Sequence, residues 1–151
     1  MTTSLPDAAR RYIDVPFRHR GRDRRGLDCA GLIVAAFRDL GVLLPDFRKY
    51  GKEPHNDGLV AHATLALGEP IATTPVDGTD LLPGDVIVMR FEIHPHHMAV
   101  VGRHPLGHLS IIHADGDASP APGRKKPGRV LEQGLSADMI QRITHVFRRP
   151  V

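Results

Sequence analysis

The chain has a single cysteine, Cys29, so no disulfide can form within it. That excludes a disulfide-stapled scaffold and fits either a reducing compartment or a small virion component, without deciding between them. Tryptophan is absent, and aromatic residues make up only 5% of the sequence. No stripe of Lys and Arg interleaved with aromatics exists, so nucleic acid is not an expected partner. The two basic runs, 18–25 and 124–129, read as solvated loops. No segment approaches the roughly 18 apolar residues of a membrane span, and no membrane-surface stretch stands out, so no membrane partner is expected. The opening residues, MTTSLPDAARRYID, lack the apolar stretch of a signal peptide, and none is expected.

What is present fits an ordinary globular protein. A chain of 151 residues with 41% hydrophobic and 25% charged residues suggests one domain over 1–151 with a single core. The net charge of +3 is mild. Fifteen glycines and thirteen prolines imply many turns and short elements.

Residues 5–13 read as a short helix, with Pro6 and Asp7 in its first turn and Val15-Pro16 ending it. Residues 18–26 form a polar, glycine-containing loop. The clearest helix follows. Asp28 caps it, apolar residues from Ala30 to Leu40 occupy nearly every face, and Gly41 stops it. Residues 45–57 read as irregular, 59–67 as a helix, and 71–80 as a linker. Leu82-Pro83-Gly84-Asp85 has the order of a type II turn, with Asp85 stabilising it. Strands are expected at 86–91, 97–101, 109–113, 130–133 and 142–147, with a turn or a single helical turn at 136–140. Helices first and a strand meander after them predict an α+β fold, N-terminal helices packed on an antiparallel sheet.

Cys29 opens the buried helix. A helix N-terminus carries partial positive charge and unpaired N–H groups, which favour a thiolate and can hold an oxyanion. A lone cysteine on an apolar helix is, by itself, more often structural. Histidine placement shifts that balance. His97 opens one strand and His113 ends the next, so a hairpin brings both to one sheet edge, where His113 can fix the His97 ring. Asp115 is an alternative orienter just past the strand end. Asp28 reads first as the helix cap, because a carboxylate beside a thiolate would raise the thiol pKa. A metal site of His94, His96, His97 and His113 lacks a completing carboxylate or second cysteine, so no metal or other cofactor is expected.

Four blocks carry a family resemblance: YIDVPF…GLDCAGLIVAAFRDLGV, LLPGDVIVMR, HMAVVG and IIHA. In this order, over most of residues 8–114, they resemble the NlpC/p60 cysteine peptidases. The resemblance implies a papain-like α+β core, with Cys29 as nucleophile, His97 as base and His113 as third polar residue. It also implies hydrolysis of peptide bonds in bacterial peptidoglycan stem peptides. Phe17, Asp28 and His96 are the candidate substrate-side residues, and His96 competes with His97 for the base role. Phe17 stands where the family usually has a tyrosine. It cannot donate a hydrogen bond, a loss of about 10²-fold in transition-state stabilisation where nothing replaces it. Ala30 replaces the usual serine after the cysteine, and 51–80 is an insert relative to the family. A bare domain without a signal peptide resembles versions found with phage tails, which makes tail proteins candidate partners and a virion a candidate location. The alternatives are an inactive tail- or wall-binding module of the same fold, or an amidase or acyltransferase of the same superfamily.

Overall fold

The structure, a computed structural model, describes residues 3–46, 48–50, 58–91, 94–116 and 128–151. Helix α1 spans Leu5–Arg10, with the Ser4 side chain accepting from the Asp7 N–H and Pro6 in its first turn. It is shorter than the 5–13 expected, because the chain turns at 11–14 and Asp14 takes a left-handed φ of 74°. The arginine-rich loop contains a small hairpin that its composition did not suggest, with β1 Arg22–Asp23 paired to β2 Gly26–Leu27.

Helix α2, Cys29–Asp39, begins at Asp28, whose side chain accepts from the Gly31 N–H. Gly41 follows with φ 83°, a left-handed conformation that glycine adopts without penalty. Leu32, Ala35, Ala36 and Phe37 are fully buried, as an all-round apolar helix requires. Gly31 is needed for closeness: a Cβ there would lie 1.9 Å from the Gly21 carbonyl oxygen. The start of α2 is therefore pressed directly onto the loop before it.

Helix α3 spans Leu59–Leu67 and ends at Gly68. Of the expected insert, residues 51–57 lie outside the described residues. The linker at 71–80 holds a short strand, β3 Ala72–Thr73, and a 3-10 turn at Gly78–Asp80. Strands β4 Val86–Phe91, β5 His94–Arg103, β6 Leu109–Asp115 and β7 Arg129–Gly134 follow. Helix α4 Ala137–Arg142 and β8 Ile143–Phe147 complete the chain. The strand with His97 thus begins three residues earlier than expected.

The sheet order is β3-β8-β4-β5-β6-β7, antiparallel throughout. The fold is α+β. Alternation along the strands builds two cores. Val86, Val88, Met98, Val100, Ile112 and Ala114 face α1 and α2. Ile87, Met89, Ala99, Val101 and Ile111 face the opposite way, under Leu81, Met139 and Ile140. Burial on both faces explains why these strands read as continuous apolar runs rather than as alternating ones.

Asp85 anchors the far end of the sheet. It is 1% exposed, accepts from the Leu82 N–H at 2.9 Å, and takes two bonds from Arg148 at 2.7 and 2.9 Å. Gly84 before it has φ 97°. The Arg148 side chain is 41% exposed, so its loss of a partner is softened by water. Asp85→Ala is expected to lower stability by about 1.5–3 kcal/mol, chiefly through the orphaned turn N–H and the lost charged bonds. A urea titration with unchanged slope measures this. A change below about 0.5 kcal/mol would class Asp85 with ordinary surface positions and sink the account.

Candidate active site

The start of α2 and the entry end of β5 meet at a cavity of about 640 Å³ lined by Cys29, His97, His113 and Gln133. Both histidines are buried, at 8% and 4% exposure. The β5–β6 register explains their meeting. Val100 pairs with Ile112, so His113 lies level with Ala99, and His97 is two residues along on the same side. Such diagonal neighbours are within reach of long side chains. The rings stand edge to face with centroids 4.9 Å apart, and His97 Nε2 lies 2.7 Å from His113 Nδ1. The hairpin argument from sequence led to this juxtaposition.

Sequence reasoning missed the next step across the sheet. His113 pairs with Leu131, so Gln133 is again the diagonal neighbour. Its Oε1 lies 2.8 Å from His113 Nε2, while its Nε2 faces the Met139 sulfur at 4.0 Å. The same diagonal rule applied to the expected strand at 130–133 would have found it. This line assigns the tautomers. An amide oxygen only accepts, so His113 Nε2 carries its proton and donates to Gln133. Burial holds the His113 pKa below its ordinary value, against opposing pulls from Gln133 and Asp115. A neutral His113 then accepts at Nδ1 from His97 Nε2–H. In His97, Nδ1 is left as the nitrogen able to take up a proton.

Asp28 organises the other side. It is buried, and its two oxygens accept four hydrogen bonds. Oδ1 takes the Gly31 N–H at 2.8 Å and Arg22 Nη1 at 2.9 Å. Oδ2 takes the Arg20 N–H at 2.8 Å and the Tyr50 hydroxyl. Expected on the substrate side, Asp28 lines the cavity but has its carboxylate occupied by the chain's own donors. Tyr50, from the loop that read as irregular, carried no periodic signal that could have singled it out. Burial works against the Arg22 charge, but its bonds to Asp46 and the adjacent Asp28 hold its pKa above the ordinary value.

The thiol departs from expectation. The helix N-terminus was expected to lower the Cys29 pKa, yet burial pushes it up to about 12, and the Asp28 charge adds to the rise. Backbone N–H groups of Met98 and Ala30 and the Arg22 charge pull it down without winning. Desolvation disfavours the charged form more than the helix end can favour it. Both effects favour the protonated thiol, so any use of Cys29 as a nucleophile would require a base.

Phe17 is half-buried on the cavity wall, its N–H bonded to Gly128 O at 2.8 Å and its ring against Gly116. Asp115 also lines the cavity and acts on His113 through its charge. The side chains of His94 and His96 lie outside the described residues, so the substrate-side place expected for His96 does too.

A model of the NlpC/P60 family matches residues 14–121. The chain belongs to the NlpC/P60 family. Over 85 residues it is 32% identical to a probable endopeptidase of Mycobacterium bovis and to one of Mycobacterium tuberculosis. That covers 56% of this chain but 17% of those proteins, so the match spans about a sixth of the relatives' length. Among solved structures, an NlpC/P60 family protein from Bacillus cereus superposes with TM-score 0.61 and 18% identity, over 98% of this chain and 41% of that one. The NlpC/P60 domain of the peptidoglycan hydrolase SagA superposes with TM-score 0.54 and 16% identity, over 95% of both chains. These likenesses establish the NlpC/P60 fold.

Gln133→Leu leaves the His113 Nε2–H without its acceptor and frees the second tautomer. The expected result for amide hydrolysis at this site is a fall in kcat of about 10–100-fold with KM little changed, and Gln133→Asn recovering part of it. An unchanged kcat would show that Gln133 has no hold on the histidines.

Proposed function

We propose that this NlpC/P60 chain is a cysteine peptidase that hydrolyses peptide bonds in bacterial peptidoglycan stem peptides. The observation that carries the reading is the hydrogen-bonded line His97–His113–Gln133, ending in one cavity with a cysteine at a helix start. Family membership and the probable endopeptidase relatives support a hydrolase, and the fold shared with the peptidoglycan hydrolase SagA supports the substrate.

In this mechanism, His97 Nδ1 takes the Cys29 proton as sulfur attacks the scissile carbonyl. Moving the proton at the moment of attack overcomes the high thiol pKa, because the charge forms as an ion pair inside the cavity. His113, neutral and fixed by Gln133, stabilises the imidazolium through its Nδ1. Backbone N–H groups at the start of α2 stabilise the oxyanion. Collapse breaks the C–N bond, and His97 returns the proton to the leaving amine. Water then hydrolyses the thioester with His97 as base. Phe17 offers no hydroxyl to the oxyanion, and the Tyr50 hydroxyl is spent on Asp28.

That same lack favours a second reading, a wall-binding module of this fold with little or no turnover. The phage-tail setting suggested by family resemblance is part of the proposal too. Copurification with virions supports it, and confinement to the host cytosol counts against it.

Incubating the purified protein with peptidoglycan or muropeptides is expected to release new amino termini, measured by mass spectrometry. Cys29→Ala is expected to reduce the rate by about 10³-fold or more. Binding without new termini would favour the second reading, and full activity in Cys29→Ala would end the assignment of the nucleophile.

A further inference from the structure

The cavity is larger than the nucleophile and its histidines require. Beyond Cys29 it continues between two helices. Ala30, Ile33 and Val34 line it from α2, at the spacing of one helix face. Leu59, Ala63, Ala66 and Leu67 line it from α3, again along one face. Among the described helix residues beyond Cys29 that line it, only His62 is polar. The cavity's acids stand elsewhere: Asp28 at the helix cap, Asp46 in the following loop and Asp115 at the end of β6. Three of these seven apolar positions are alanines, so small side chains leave the space open. The lined stretch runs about 6 Å along α2 and about 12 Å along α3 at the helical rise.

A peptidoglycan stem peptide has nothing to fill such an arm. Its side chains are methyl groups, carboxylates and amines, and a charged group placed among these alanines and leucines would lose its hydration without a partner. An alkyl chain would instead displace poorly held water and bury apolar surface.

We infer that the arm between α2 and α3 is an acyl-binding subsite, and that the same centre hydrolyses amides or esters of medium-length alkyl acids. The acyl carbonyl sits at Cys29 and the alkyl chain runs down the arm. Cys29 sulfur forms a thioester as the bond to the leaving amine or alcohol breaks, with the proton carried by His97 to the leaving group. Water then releases the carboxylic acid and restores the thiol. This rests on Cys29 as nucleophile, but not on peptidoglycan as its substrate.

A series of p-nitrophenyl esters from acetyl to octanoyl, turned over by the native protein, tests the inference. The expected result is a kcat/KM that rises about threefold to fourfold per buried methylene. Ala63→Leu and Ala66→Leu should each lower the octanoyl-to-acetyl ratio of kcat/KM at least tenfold. That ratio does not depend on how much of a variant is folded. A flat series, or a rising one that both substitutions leave unchanged, would overturn the subsite. Absence of Cys29-dependent turnover of every ester, acetyl included, would instead overturn the nucleophile. In that case, or if neither variant folds, calorimetric titration of the native protein decides the arm. Octanamide binding at least tenfold tighter than acetamide supports it, and equal affinities refute it.

Discussion

The carboxylate of Asp28 is the constraint on which the site depends. Four donors converge on it from three places in sequence: the first turn of α2, the loop at 20–22, and Tyr50. It caps the helix, pins the arginine loop to it and holds Arg22 in place. The close approach at Gly31, where no Cβ fits, belongs to the same joint. The position of the Cys29 sulfur follows from that joint, together with the Met98 and Ala30 N–H groups that bond to it. The joint also has an electrostatic cost. Burial is the main force against ionising this thiol, and the fixed negative charge of the anchor that places the sulfur adds to it.

The sheet supplies the complementary half. Its registers set three polar side chains on a diagonal across β5, β6 and β7. Each successive residue fixes the protonation of the one before it, from the Gln133 amide through neutral His113 to His97. Such an ordered line inside an otherwise apolar sheet is satisfied at every internal step, which makes it tolerable to bury. In the proposed mechanism, a thiol that ionises only during attack and a base of defined tautomer are two parts of one arrangement.

Much of this was legible in the sequence. Asp28, the apolar run after it and Gly41 delimited α2 to within a residue. The LPGD turn and the apolar runs at 86–91, 97–101 and 109–113 set out the central strands, and hence the pairing of His97 with His113. The missing parts have physical reasons. Strand β3 is two residues long and lies in a segment rich in Thr and Pro, so it has no period to detect. Tyr50 reaches Asp28 from an irregular loop, and loops do not announce their tertiary partners. The thiol pKa was misjudged because the helix end is visible in sequence while burial is not. The apolar arm was invisible for a related reason: it exists only where faces of α2 and α3 line one cavity, an arrangement that neither helix's own sequence carries.

The central claim is that Cys29 is a buried, un-ionised thiol whose reactivity depends on proton transfer during attack. The pH dependence of its ultraviolet thiolate absorbance, native protein minus Cys29→Ala, tests the resting state most directly. That absorbance should be absent through neutral pH and grow only toward the value of about 12. A plateau below about pH 8.5, the ordinary value of a free thiol, would show a preformed thiolate and contradict the account.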